Sequence, residues 1–203
     1  MNEPVASESC ANGIMEALKG YRFQIFSRKT ISNIDFSTTD LVAFPGGYGD
    51  ADLFNRLVKP QAHIITDYMN NGGRFLGICM GAYWAGKEYF NLLHNVEVEQ
   101  YIKRPNTDTH RPHAKNLKVE WLGEDKNMFF YDGCAFGPGQ YEIIAKYKND
   151  DPMAIIQGTI GLIGCHPESQ PSWYDSYSWM KGKYHNGEQH KLLLNFVNRL
   201  MET

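Results

Sequence analysis

The chain contains no apolar run near the roughly 20 residues that a helix needs to cross a bilayer, so no membrane-spanning segment is predicted. It also lacks a basic excess, because 20 Lys and Arg face 23 Asp and Glu and the net charge is −3. That balance argues against binding to nucleic acid or to an anionic membrane. The segment from Met1 to Gly13 is polar and does not resemble a signal peptide. We therefore expect a cytoplasmic protein that binds neither nucleic acid nor membrane.

Metal-binding patterns are equally scarce. The four cysteines, Cys10, Cys79, Cys134 and Cys165, show no C-x-x-C pairing and no zinc spacing, which favours a reduced protein without disulfides. His110 and His113 are separated by Arg-Pro, and the proline argues against their presentation on one helix. No third ligand is close in sequence. We expect no metal site and no cofactor.

No internal repeat, low-complexity tract or linker divides the chain. With 203 residues, 42% of them apolar, it is long enough for one domain with a substantial core, and we expect a single domain over residues 1–203. No strand-like apolar run precedes Tyr21, although a doubly wound sheet normally begins with a strand. The first strand of such a sheet is therefore expected to be absent.

The hydrophobic pattern predicts an α/β protein. Helices are predicted at about 7–18, 51–58, 61–69, from the turn at Cys79 to about 90, and 188–201. Strands are predicted at 21–26, 41–44, 75–78, 96–102, 117–121, 128–131, 141–147, 153–157 and 159–165. The alternation of strands and helices in the first part predicts a parallel sheet with right-handed crossovers. The strands of the middle predict an antiparallel extension.

The most informative stretch is the apolar run Phe75 to Ile78, which ends in Cys79 and is followed by amphipathic, helix-forming sequence. Cys79 stands between Gly77 and Gly81, the Gly-x-nucleophile-x-Gly form of a nucleophile elbow. A helix that begins at the cysteine would favour the thiolate. The alternative is a buried structural cysteine, since free cysteines are among the most buried residues. The pentapeptide alone leaves both interpretations open.

A nucleophilic cysteine needs a base, and the base needs an orienting group. His166 follows an apolar strand, and Pro167 favours an extended backbone there. Residues two apart in an extended chain project to the same side, so Glu168 can reach the imidazole. The alternatives are a strand-end histidine bonded to the backbone and a solvated turn carboxylate.

The glycine turn Pro45 to Gly49 follows another predicted strand. Amides of Gly46 and Gly47, with that of Met80 after the cysteine, are suited to hold a developing oxyanion. A simple tight turn is the alternative.

Three motifs together resemble the class I glutamine amidotransferases in order and spacing. They are Phe44–Gly47, Gly72–Tyr83 and Gly164–Glu168, and they are most similar to those of the biotin–protein ligase N-terminal-like domain. Phe130–Gly133, followed by Tyr141–Tyr147, also resembles that branch. The resemblance implies a flavodoxin-like three-layer sandwich with a mainly parallel central sheet, here with the antiparallel β extension.

By this resemblance Cys79 would be the nucleophile of a cysteine-dependent amidase or amidotransferase-like hydrolase, with His166 as base and Glu168 as orienting carboxylate. The Gly47 and Met80 amides would line the oxyanion hole. Amidotransferases that hydrolyse glutamine usually carry glutamine four residues after the cysteine. This chain has Tyr83 there, and tyrosine cannot supply the paired donor and acceptor of an amide. By its position Tyr83 is the expected substrate-binding residue, and the expected substrate is a small-molecule amide.

Two further functions remain open for the same fold. One is a catalytically silent binding or regulatory module that keeps the pocket and acts through a protein partner. The other is a thiol peptidase-like or redox-responsive protein, in which Cys79 would be oxidised selectively or peptides would be the substrate.

Overall fold

The structure is a computed structural model that describes residues 7–47 and 50–203. Residues 1–6 of the polar N-terminal segment, and Tyr48 and Gly49 of the predicted glycine turn, lie outside the described residues. The helices of the described part are α1 Glu8–Ala17, α2 Ala51–Leu57, α3 Ala62–Asn70, α4 Met80–Trp84, α5 Pro171–Asp175 and α6 Glu188–Met201. Its strands are β1 Val42–Phe44, β2 Phe75–Ile78, β3 Val98–Gln100, β4 Lys115–Trp121, β5 Glu124–Phe130, β6 Cys134–Phe136, β7 Glu142–Tyr147, β8 Pro152–Gln157 and β9 Ile160–Ile163.

Seven of these strands form one curled, mixed sheet in the order β1-β2-β9-β8-β7-β4-β5. The pairs β1–β2 and β2–β9 are parallel, and the other four pairs are antiparallel. The predicted α/β fold class is confirmed, and the antiparallel extension makes up the larger part of the sheet. β3 and β6 form a separate two-stranded sheet.

Helices cover both faces of the parallel part of the sheet, and β2 is therefore buried on both sides. Phe75 belongs to a core with the aromatic residues of α2 to α4, whereas Leu76 and Ile78 belong to a second core with α1 and α6. Successive strand side chains point to opposite faces, so the two cores lie on opposite sides of the sheet. This arrangement is a three-layer sandwich.

The predicted strand at residues 21–26 is wrong, because this segment adopts no strand structure. Its alternating apolar side chains stay in solvent: Phe23 is 40% exposed and Ile25 71% exposed. Among the described residues no strand precedes Val42, so β1 is the edge strand of the sheet, and the segment does not pair with it. A cavity of about 720 Å³ lies there instead, lined by residues 21–28, by β1 and by one face of α1.

The helix predicted from Cys79 to about Phe90 is also wrong in length, since α4 ends at Trp84. Gly86 closes a tight turn by donating to the carbonyl of Tyr83 at 2.9 Å. The chain then turns back, and the ring of Phe90 packs against Phe44 and Phe54 at centroid distances of 5.1 and 5.0 Å. Burial of this aromatic cluster outweighs helix propensity in the segment.

The last helix, α6, is confirmed over its full predicted range. The predicted strands at 153–157 and 159–165 correspond to the antiparallel pair β8–β9, which turns at Gly158 with φ 56°. No helix in the described ranges is both long enough and apolar enough to traverse a lipid bilayer.

Candidate active site

Cys79 lies in the sharp turn between β2 and α4. Its backbone has φ 51° and ψ −108°, a conformation that costs energy for any residue other than glycine. The turn is fixed on one side by the Cys79 amide, which donates to the carbonyl of Ile163 in β9 at 2.8 Å. The side chain is 7% exposed. This is the geometry of a nucleophile elbow.

The two glycines that flank Cys79 are required by close backbone contacts. A Cβ at Gly77 would lie 2.5 Å from the carbonyl oxygen of Gly81, and a Cβ at Gly81 would collide with the carbonyl oxygen of Phe44 in β1. Both obstacles are backbone atoms, which cannot rotate away. The spacing seen in the sequence therefore has a steric origin in the packing of α4 on β1 and β2.

We expect Gly81→Ala to destabilise the protein by about 3 kcal/mol, because the new methyl group overpacks a backbone contact. Urea unfolding monitored by circular dichroism measures the change. Gly20→Ala is the matched control, since no atom lies within 4 Å of a Cβ built at Gly20. Equal stabilities for the two variants would contradict the steric explanation.

His166 and Glu168 lie just beyond the end of β9, beside the elbow. The amide of His166 donates to the carbonyl of Phe129 in β5 at 2.8 Å, which fixes the backbone position. The Nδ1 of His166 lies 2.9 Å from Oε1 of Glu168, with both side chains buried. The other carboxylate oxygen, Oε2, is buried and has no hydrogen-bond partner among the described residues. Cys165 points to the opposite side, where its Sγ contacts the Tyr147 hydroxyl at 3.8 Å.

The sulfur of Cys79 interacts with the same imidazole from the elbow. Burial opposes a charged ring, but the negative charges available on Cys79 and Glu168 outweigh it and raise the pKa of His166 well above its usual value. The site thus favours the protonated form of the His166 ring. The structure brings together Cys79 of one sequence motif with His166 and Glu168 of another.

Cys10 is a neighbour of the site that the sequence analysis did not identify. It lies in the first turn of α1, and its side chain interacts with the ring of His166. Ligand atoms of Cys10, His166 and Glu168 all lie within 4.8 Å of one another. No local pattern marks Cys10, because its contact with His166 spans most of the chain.

A tight turn at residues 131–132 covers the other side of the cysteine. The carbonyl oxygen of Tyr131 lies 3.7 Å from the Sγ of Cys79. Asp132 has φ 59°, its carbonyl accepts from the Tyr83 hydroxyl at 3.2 Å, and its carboxylate accepts from Gln100 at 2.8 Å. Tyr83 therefore lies at the site but uses its hydroxyl hydrogen within the protein. Burial raises the pKa of Tyr83, so the phenol stays neutral.

The predicted oxyanion-hole residues lie around the same centre. A Cβ at Gly46 would be 2.6 Å from Cε1 of His166, so only a residue without a side chain fits there. Gly47 follows directly and is half-buried, and Met80 is the first residue of α4. The carbonyl of Gly46 accepts from the amide of Ser7, the N-cap of α1, at 2.9 Å.

The residue after Glu168 is held by two histidines. The Ser169 carbonyl accepts from Nε2 of His185 at 2.9 Å and from Nε2 of His190 at 3.0 Å. Nδ1 of His185 in turn accepts from the amides of Gly187 and Gln189 at the start of α6. His185 must be neutral to accept these bonds, and burial lowers its pKa to about 4.

This geometry predicts a loss of stability in acid. An unfolded histidine titrates near about pH 6.5, so between about pH 6.5 and 4 the unfolded chain binds the extra proton. The stabilisation is complete above that window and falls as pH decreases through it. The free energy of unfolding of wild type, relative to that of His185→Asn, should decrease by about 1–2 kcal/mol between about pH 7 and 4. Solvent screening keeps the effect this small. Urea titrations at both pH values measure the loss, and a constant difference would refute it.

Comparisons with known proteins agree with the geometry. A family model described as "Biotin-protein ligase, N terminal" matches residues 5–104. A solved glutamine amidotransferase is similar over 95% of this chain and 94% of its own, with 17% identity and a TM-score of 0.64. A glutamine amidotransferase from Thermotoga maritima has 16% identity and a TM-score of 0.65 over 96% of this chain and 93% of its own. PurLQS from the same organism has 16% identity and a TM-score of 0.61, covering 93% of each chain. No curated protein sequence matches.

The fold is shared with solved glutamine amidotransferases of the class I type. The N-terminal part of this chain matches the biotin–protein ligase N-terminal family, so the resemblance seen in the sequence motifs is confirmed. The matched range contains Cys79 and the glycine turn, whereas His166 and Glu168 lie beyond it.

Proposed function

We propose that the protein is a cysteine-dependent amide hydrolase of the amidotransferase-like type, acting on a small-molecule amide. The observation that carries this proposal is the grouping of Cys79, His166 and Glu168, with Nδ1 of His166 2.9 Å from the carboxylate and Cys79 interacting with the same ring. A nucleophile beside a base, with the base held by an orienting carboxylate, is the arrangement that covalent acyl transfer needs.

In the proposed reaction the thiolate of Cys79 attacks the amide carbonyl, and a C–S bond forms as the carbonyl oxygen becomes an oxyanion. Amides of Gly46, Gly47 and Met80 stabilise that oxygen. The imidazolium of His166 gives its proton to the leaving nitrogen, and the C–N bond breaks to release ammonia or an amine. His166 then takes a proton from water as the water oxygen attacks the thioester carbon, and the C–S bond breaks to release the acid and restore the thiolate and the imidazolium.

Glu168 accepts a hydrogen bond from Nδ1–H. It thereby keeps the other ring nitrogen towards Cys79 and stabilises the imidazolium. Tyr83 forms one wall of the substrate site in this proposal. Its hydroxyl hydrogen is already donated to Asp132, so it offers a substrate an aromatic edge and an acceptor. This favours small amides other than glutamine.

A second candidate is a catalytically silent binding module. The observation that favours it is the coverage of Cys79, which is 7% exposed and has the Tyr131 carbonyl against its sulfur. A substrate would have to displace or pass this turn. In this case the pocket would serve a protein partner and the thiol would be inert.

Ammonia release from a panel of small amides, glutamine included, separates the two functions. The hydrolase predicts turnover of at least one amide by wild type that depends on Cys79. Absence of turnover across the panel, with folded protein, would contradict the hydrolase and favour the binding module.

A further inference from the structure

Beside the proposed triad is a cluster of three different ligand types. Cys10 offers a thiol, His166 an imidazole and Glu168 a carboxylate, and their ligand atoms lie within 4.8 Å of one another. All three side chains are buried, and within residues 7–47 and 50–203 Oε2 of Glu168 has no hydrogen-bond partner. A buried carboxylate oxygen without a donor is costly unless a cation or a proton satisfies it.

The surrounding backbone makes room for this cluster. A Cβ at Gly46 would lie 3.1 Å from the Sγ of Cys10 and 2.6 Å from the ring of His166. A Cβ at Gly13, one turn after Cys10 in α1, would lie 3.0 Å from Cγ of Glu168. Two glycines on different elements therefore let α1 approach the His–Glu pair closely enough to deliver the thiol.

We propose that Cys10, His166 and Glu168 form a zinc(II) site. Thiolate, imidazole and carboxylate are the donors that zinc takes, at about 2.3, 2.0 and 2.1 Å, which puts ligand atoms about 3–4 Å apart. Small rotations of the three side chains bring their atoms into that range. The fourth position is left for water or a bound ligand. Cys10 loses its proton to solvent when zinc binds.

The site has a regulatory consequence, which rests on the proposed function. Nδ1 of His166 faces Glu168, so zinc bound between them replaces the His166–Glu168 hydrogen bond. His166 then cannot accept the proton of Cys79 and pass it on. Zinc would hold the protein in an inactive state, and a chelator would release it. Zinc binding itself does not depend on amide hydrolysis.

The test is a zinc titration of the full chain in competition with a chromophoric chelator. Wild type should bind one zinc ion, and Cys10→Ser should bind it at least about 100-fold more weakly. Cys165→Ala is the matched control, because this buried thiol next to His166 faces Tyr147 and should leave affinity unchanged. Cobalt(II) should give a thiolate-to-cobalt absorption band in wild type that disappears in Cys10→Ser.

Cys79→Ala separates this proposal from the proposed function. It should retain zinc affinity and the cobalt band, whatever happens to turnover. Equal affinity in wild type and Cys10→Ser would overturn the site, and so would loss of binding in Cys79→Ala or no binding by wild type. Circular dichroism of each metal-free variant shows that it is folded, and Cys10→Ala provides a second variant if serine disturbs α1.

Discussion

Amide turnover should fall by at least about 10⁴-fold, to the background rate, when Cys79 is replaced by alanine. In the proposed reaction the acyl group is held on its sulfur as a thioester, so the covalent intermediate cannot form without it. Folding should be preserved, because alanine keeps the Cβ of this buried residue and lacks only the sulfur. The measurement is ammonia release at saturating amide, with thermal unfolding of both proteins in parallel.

Cys165→Ala is the control for this experiment. It removes a buried thiol from the residue before His166, but that thiol contacts Tyr147 on the other side of the chain. Turnover should therefore survive in Cys165→Ala. Equal turnover by wild type and Cys79→Ala would exclude Cys79 as the nucleophile.

Glu168→Gln should lower kcat by about 10³–10⁴-fold while the chain remains folded. Glutamine has nearly the same shape but no charge, so it cannot stabilise the imidazolium. Its amide can also donate to Nδ1, which turns the ring nitrogens to the wrong tautomer. The same change removes one of the charges that raise the pKa of His166, so that pKa should decrease. Steady-state kinetics and NMR titration of the His166 ring measure the two effects.

Glu188→Gln is the matched control, since this carboxylate is exposed at the start of α6. It should leave kcat unchanged. A normal kcat in Glu168→Gln would show that the His–Glu contact is only structural.

Local patterns predict those parts of the fold that local interactions determine. The range of α6 follows from its apolar face, which carries Leu193, Phe196 and Leu200 into the core. Residues 21–26 have an equally good strand pattern, yet they form no strand. A strand needs hydrogen bonds to a neighbour, and a cavity separates this segment from β1, the edge strand of the sheet. The early end of α4 depends on Phe90 folding back to a distant cluster. Sequence periodicity contains no information on either of these contacts.

The candidate site likewise combines residues that short sequence patterns indicate with residues that only the fold brings together. The glycines around Cys79 and the His-Pro-Glu segment are short patterns with steric or conformational causes, and each indicated its residue. Cys10 joins the site only because α1 packs against the loop after β9, an approach that Gly13 and Gly46 permit. The cover over Cys79 depends in the same way on the turn at Asp132. A sequence without its fold offers no signal for contacts of this kind.

The central claim is that His166 activates Cys79. The most direct test is the rate of alkylation of Cys79 by iodoacetamide between about pH 5 and 9, located by mass spectrometry, in wild type and His166→Ala. Denatured protein supplies the rate of an unactivated thiol. The account predicts that at about pH 6.5 wild type is labelled at least about tenfold faster than His166→Ala. Slow labelling at Cys79 that is the same in both folded proteins would contradict the account.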